Sequence, residues 1–295
     1  METPEEKRAA LRPLEAGHLA VGDGEELIIC LAGNMLGYNP CMFGRKKRAE
    51  GATSKPACEP YLECYREAVD RFGPSFEATL WCSREMQRTR FEVMAAMIDF
   101  RGKVIIDAGC GLGDLAEFLC EQGIAYARYV GLEAIEELAA AAAGRGLARG
   151  EIVHGDFVSD EGLLGRVASE QAARCCGGRG ALVIVFSGSL NTLDEPVARQ
   201  AVRRAAEAVG LPCCGGEGRG DMSSTGAVVF NFLGDRFASS PVINLGPARR
   251  FDTVAMLDWA LSITPDAQLR QDYFNGHDAT IVMGGSRPQG AGRGE

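Results

Sequence analysis

The chain has 295 residues, 46% of them hydrophobic, and a formal net charge of -9. That length suits one domain of ordinary size with additions, large enough to bury a core without staples. The acidic balance argues against a general nucleic-acid binder, and no stretch reaches the roughly 20 uncharged apolar residues of a membrane span.

The charged start METPEEKRAALR has no apolar core of a signal peptide behind it, so a cytoplasmic location is expected. Residues 1–58 are weakly patterned and read as a partly flexible segment. They contain the basic run GRKKR (44–48), which reads as a solvated loop. Eleven cysteines, an odd number without an export signal, fit free thiols. Two adjacent pairs, Cys175-Cys176 and Cys213-Cys214, sit in similar glycine-rich text. Neither has the spacing that wraps a tetrahedral zinc, and no metal site is expected.

Residues 59–100 predict a helical cap. In PYLECYREAVDRFG, Leu62, Tyr65, Val69 and Phe72 recur at helical spacing until Gly73-Pro74. In SREMQRTRFEVMAAMIDF, Ser83 caps a helix whose stripe holds Met86, Arg90 and Met94. Trp81, just before it, reads equally as lid or core. From 101 to 285 strands and helices alternate. Strands are expected at 103–107, 128–133, 151–154, 181–187 and 226–233. Helices fall between them, the last near 252–262. A closing hairpin turns at Asn275-Gly276. Residues 286–295 read as a disordered tail. The pattern means an α/β, doubly wound, Rossmann-like sheet, mostly parallel, with an antiparallel last strand and an N-terminal helical extension.

The most informative stretch is VIIDAGCGLGDLAEF (104–118). Gly109, Gly111 and Gly113 let the loop turn with positive φ and bring backbone close to a ligand. The next helix presents free N–H groups. GLGDLA alone also fits a dinucleotide fingerprint, so an NAD(P)-dependent oxidoreductase stays open. Asp107 ends the first strand, where a carboxylate would repel a pyrophosphate but suit a cationic head. Glu133 ends the second strand and can accept from two ribose hydroxyls. Asp156 in GDF follows the third, placed to accept from an adenine amino group, with Phe157 beside it. Acids after three successive strands describe an adenosine carrying an ammonium, without phosphate.

With these residues the chain resembles the class I S-adenosylmethionine-dependent methyltransferases. DAGCGLG resembles their D-x-G-x-G-x-G signature, and the likeness runs over about 81–284. It implies a seven-stranded sheet with the seventh strand antiparallel between the fifth and sixth, and S-adenosylmethionine as cofactor. Asp107, Gly109, Gly111 and Gly113 would then line the methionyl part, Glu133 the ribose, and Asp156 with Phe157 the adenine. The segment from Ser187 would pass under the sulfonium. SGSLN at 187–191 is not the N-P-P-Y pattern that serves planar amino groups. The likeness also leaves room for a cofactor-binding protein without catalysis.

Simpler roles stand beside these. Asp107 can stabilise its loop, Glu133 can cap the helix after its strand, Asp156 can cap the next turn, and Phe157 can be core. Ser187, Ser189 and Asn191 end a buried strand and can contact cofactor or acceptor, or merely brace the loop. Gln87 and Arg90 can reach the methionyl carboxylate. His277, beside Asp278, is the first candidate for a general base, against the reading of a surface turn histidine. A small molecule is the leading methyl acceptor. The oligomeric state is not legible in the sequence.

Overall fold

The computed structural model describes residues 59–175, 178–211, 226–236 and 247–285. The basic run at 44–48, Cys176, the Cys213-Cys214 pair and the tail at 286–295 lie outside them. Among the described residues eight strands form one sheet. They are β1 (Val104–Ala108), β2 (Arg128–Glu133), β3 (Gly150–His154), β4 (Leu182–Phe186), β5 (Ala227–Gly234), β6 (Arg250–Phe251), β7 (Ala267–Arg270) and β8 (Asp278–Gly284). The order is β3-β2-β1-β4-β5-β8-β7, and β6 pairs with β5 off that path. Strand β8 runs antiparallel between β5 and β7, and β7 is therefore parallel to β1–β5. This is the expected architecture, with the two-residue β6 added beside β5 (Leu233 opposite Arg250).

Alternation in β1 explains the layers. Val104, Ile106 and Ala108 face one apolar core, and Ile105 faces the other. The first core is closed by α5 (Leu163–Arg174), α6 (Glu195–Ala208) and α7 (Thr253–Ile263), and the second by α2 (Arg84–Met97) and α3 (Asp114–Glu121). With both faces covered, β4 can be apolar throughout and β5 nearly so, with Asn231 as its polar exception, and every residue in them is buried. Helix α4 (Glu136–Gly144) comes after β2.

Helix α1 (Pro60–Phe72) opens with Pro60 in its first turn, where a missing N–H costs nothing, and ends at Gly73 with φ 68°. It packs through Cys64, Ala68 and Val69 against Ile135 and Leu138. Helix α2 starts where expected: the Ser83 hydroxyl accepts from the Met86 N–H at 3.1 Å. Val93 and Met94 are core, as the methionine stripe suggested. Cys64, Cys110, Cys120 and Cys175 are free thiols, but Cys82 is disulfide-bonded, against the expectation of free thiols throughout.

The predicted hairpin differs in detail. Its strand is Ala267–Arg270, and the turn is a short 3-10 segment, Phe274–Gly276, holding Asn275 at φ 53° and ψ 34°. Asn275-Gly276 supplies the left-handed conformations, but inside a longer connection than a two-residue turn.

Among the described residues no helix is long and apolar enough to cross a membrane.

Candidate functional site

Strand order reverses between β1 and β4, whose successors β2 and β5 lie on opposite sides. In open α/β sheets ligands bind at this point, outside the carboxyl ends of the strands. A cavity of about 1010 Å³, its open mouth included, lies here.

The glycine loop is fastened from several sides. Gly109 has φ 80°, and a Cβ on it would stand 2.5 Å from the Ser189 Cβ. Glycine there lets the loops after β1 and β4 touch. Gly111 donates its N–H to Glu133 Oε2 at 2.8 Å, tying the loop to the end of β2. Cys110 sits against Gly131 of β2, where a Cβ would lie 2.6 Å from the thiol sulfur. Both Gly109 and Gly111 line the cavity. Gly113 does not. It precedes α3 with φ 79° and packs on Leu147, so the third glycine serves the start of the helix and a close contact below it.

Asp107 is 3% exposed and lines the cavity. Its Oδ2 accepts from the Tyr129 hydroxyl at 2.6 Å, and its Oδ1 has no partner among the described residues. Burial raises its pKa to about 7; the Tyr129 bond opposes that shift, and the nearby Glu133 and Asp114 charges add to it. Glu133 spans the junction. Its Oε1 accepts from the Ile135 N–H at 2.8 Å, so the capping role and the cavity position hold together. Burial raises its pKa against the backbone donors that favour the charge.

After β4, the Ser187 and Ser189 hydroxyls and Asn191 Oδ1 are buried without partners, and all three residues line the cavity. Asn231 on β5 holds this loop by accepting from the Gly188 N–H at 2.7 Å. With Asp107 Oδ1, four buried polar atoms of residues lining this cavity have no partner among the described residues. A buried polar atom without a partner costs about 1–3 kcal/mol, and such groups in a native fold call for an explanation.

Asp156 also lines the cavity, in a different state. Its Oδ1 accepts from the Val158 and Ser159 N–H groups at 2.8 and 3.4 Å. Its Oδ2 accepts from the Ser159 hydroxyl at 2.9 Å and the Tyr61 hydroxyl at 2.7 Å. Phe157 packs edge-on against Phe186 at 5.4 Å while facing the cavity. The cap and core roles set beside the ligand roles in the sequence are therefore both present.

Helix α2 brings Gln87 and Arg90 to the wall. Gln87 Nε2 donates to Asp114 Oδ2 at 3.0 Å. Arg90 is 1% exposed, and its guanidinium carbon lies over the rings of Trp81 and Phe274, 4.6 and 5.2 Å from their centroids. Trp81 belongs to the cavity wall and also packs on Gly188, where a Cβ would come within 2.7 Å of the indole.

The placement of His277 corrects the sequence expectation. It is fully buried and is not part of the cavity wall. Its Nδ1 meets Asp278 Oδ1 at 2.5 Å, and its Nε2 meets Arg250 Nη2 at 2.6 Å. A guanidinium only donates, so Nε2 is the acceptor. A carboxylate only accepts, so Nδ1 carries the hydrogen. The ring is thus a neutral tautomer whose lone pair is already taken, which removes it as a general base.

Tyr61 and Tyr65 on α1 line the cavity and were not singled out as ligand contacts from sequence. The signal available was their four-residue spacing: polar-tipped rings on an otherwise apolar helix face. Among the described residues no group of three or more His, Cys, Asp or Glu side chains can hold a metal ion.

No protein-family model matches the sequence, and no curated protein sequence matches it. Solved structures resemble it in fold. An O-methyltransferase family protein from Burkholderia thailandensis aligns with TM-score 0.46 and 15% identity, over 69% of this chain and 57% of that one. Mitomycin 7-O-methyltransferase MmcR aligns with TM-score 0.46 and 20% identity, over 75% and 60%. A SAM-dependent methyltransferase from Leishmania major aligns with TM-score 0.49 and 12% identity, over 77% and 86%. The chain spans about three-fifths of the length of the first two.

Proposed function

We propose that the protein is an S-adenosylmethionine-dependent methyltransferase acting on a small-molecule acceptor. The observation that carries this reading is the unpartnered Asp107 Oδ1, buried beside the glycine loop at the point where strand order reverses. A carboxylate there needs a donor from a ligand, best a cationic one, and it would repel a dinucleotide pyrophosphate. That weighs against the nicotinamide reading of GLGDLA.

The surrounding residues fit such a cofactor. Asp107 would accept from the methionyl ammonium, with Gly109 and Gly111 letting the chain pass close. Gln87 and Arg90 would supply donors to the methionyl carboxylate. Glu133 uses one backbone donor per oxygen in the bonds above and keeps acceptor capacity for ribose hydroxyls. Phe157 and Asp156 would meet the adenine, with Tyr61 needing to share or release Asp156. Ser187, Ser189 and Asn191 offer unpaired polar atoms to the sulfonium side and to the acceptor.

The cofactor supplies an activated methyl group on a sulfonium, which a nucleophile takes in line with the breaking carbon–sulfur bond. The protein's work is then alignment and exclusion of water. Cys110 lines the cavity, but burial and nearby carboxylates push its thiol well above its ordinary pKa, so it stays neutral.

Calorimetric titration tests the reading. Binding of S-adenosylhomocysteine without binding of NAD supports it, and the reverse overturns it. A labelled-methyl assay on fractionated cell extract then identifies the acceptor. Binding with no transfer to any fraction favours a cofactor-binding protein without catalysis.

A further inference from the structure

Four charged or ring side chains run in series away from the cavity wall: Arg90, Asp278, His277 and Arg250. Arg90 Nε is ion-paired with Asp278 Oδ2, both side chains being 2% exposed or less. Asp278 Oδ1 takes the hydrogen of His277 Nδ1, and Arg250 holds the far side of the ring. Arg250 is anchored in turn to the Gly234 carbonyl at 2.7 Å.

This series fixes the orientation of a single guanidinium. The guanidinium carbon lies over the rings of both Trp81 and Phe274, which restricts how the group can turn and from where a ligand can reach it. Nε is committed to Asp278 and one Nη1 hydrogen to the Met86 carbonyl at 3.2 Å. Arg90 also lines the cavity, and these bonds among the described residues leave Nη2 uncommitted. The backbone around the clamp is unusual as well. Leu80, next to Trp81, and Phe274 itself are non-glycine residues at φ 59° and 48°. Conformations of that kind persist where surrounding packing enforces them, often at ligand sites.

A carboxylate bound edge-on to a guanidinium needs both groups in one plane. We propose that His277 and Asp278 are positioning residues: they lock Arg90 in the plane that receives the carboxylate of the cofactor's amino-acid moiety. His277 thus serves binding from behind the wall. The inference rests on the methyltransferase reading of the cavity.

The test compares two nucleosides by calorimetry: S-adenosylhomocysteine, which carries the carboxylate, and 5′-methylthioadenosine, which lacks the whole amino-acid moiety. The variants are Asp278→Asn and His277→Asn. Asp278→Asn leaves the Arg90 charge buried without its counter-ion, a change that can unfold the protein. His277→Asn keeps that counter-ion and is the variant that decides if the first does not fold. The expected result is a loss of S-adenosylhomocysteine affinity of roughly tenfold or more, the scale of one charge-assisted hydrogen bond. Affinity for 5′-methylthioadenosine should be unchanged. Equal losses for both nucleosides, or none for either, in folded variants would overturn the positioning role. Wild-type protein that binds neither nucleoside overturns the methyltransferase reading, and this inference falls with it. Wild-type protein that binds both with equal affinity refutes the carboxylate contact alone.

Discussion

The two ends of the cavity are built on opposite plans. At the end formed by β1 and β4, Asp107, Ser187, Ser189 and Asn191 each leave a buried polar atom unpaired. At the end beyond β3, Asp156 accepts four hydrogen bonds, one of them from a tyrosine on a different element. The first end is stabilised when a ligand arrives, because the ligand supplies missing partners. The second end must trade an existing bond for a new one. Affinity should therefore reside in the first end, and the barrier to entry in the second.

Substitution at Asp107 presses hardest on this contrast. Asp107→Asn keeps the shape and removes the charge, and should weaken S-adenosylhomocysteine binding by about 100-fold, the upper range for a hydrogen bond between charged groups. The empty protein should respond in the opposite sense. Burial raises the Asp107 pKa from 3.8 to about 7, so the folded state holds its proton more tightly than the unfolded chain. That contribution to stability is complete below about pH 4 and is lost as pH rises through about 7. Asp107→Asn lacks the loss, so its stability relative to wild type should climb by a few kcal/mol between pH 4 and 7 and then level off. Thermal melts across that range check the sign. A variant less stable than wild type at pH 8 would mean that Asp107 is held by partners of its own, and that this end does not wait for a ligand.

Next in size is Glu133. Glu133→Ala removes the ribose acceptor and unties Gly111, and should cost about 1.5–3 kcal/mol of cofactor affinity. Unchanged affinity by calorimetry would reduce Glu133 to a cap for Ile135 and Gly111. Smaller again is the pH dependence of binding to the unmodified protein. A cationic head needs ionised Asp107, so affinity should fall below pH 7 toward about tenfold per unit and be level just above it. A flat profile from pH 5.5 to 7.5 would place the cationic group elsewhere.

These expectations also mark where sequence reading stops. The sheet was legible because β4 is an unbroken apolar run, β5 is one interrupted only by Asn231, and glycine, aspartate and strand recur in order. The antiparallel last strand came from the hairpin signal at Asn275-Gly276, and its place between the fifth and sixth strands from the resemblance. Asp107 and Glu133 were legible because strand ends in a parallel sheet converge on one edge, so position along the chain implies position in space. His277 was not. Its place after β7 suggested the ligand edge, and that part holds, but its side chain turns inward to Asp278 and Arg250. Nothing local in FNGHDAT tells which way that ring points. Gly113 misled for a related reason. Positive φ was inferred rightly, but the surface that approaches it is Leu147, 34 positions along the chain. Tyr61 was hidden because an aromatic on a helix stripe reads as packing whether or not its hydroxyl reaches a carboxylate on another element.

Tyr61 also gives the smallest effect and the sharpest view of the second end. Its hydroxyl donates to Asp156 Oδ2, the atom on which an adenine amino group would depend. If protein and ligand compete for that oxygen, Tyr61→Phe removes the competitor while keeping the ring that packs on the core. The bond is a side-chain donor to a charged acceptor, but it is only part-buried. Solvent replaces some of what is lost, so the net change should be about 0.5–1 kcal/mol, a gain in affinity of roughly two- to fivefold. The on-rate should rise with it, since α1 no longer has to release Asp156 before a nucleoside seats. Calorimetry and stopped-flow binding of S-adenosylhomocysteine read both quantities. Weaker binding in Tyr61→Phe would show that the hydroxyl orients Asp156 for the ligand, and that this end, like the first, is made ready in advance.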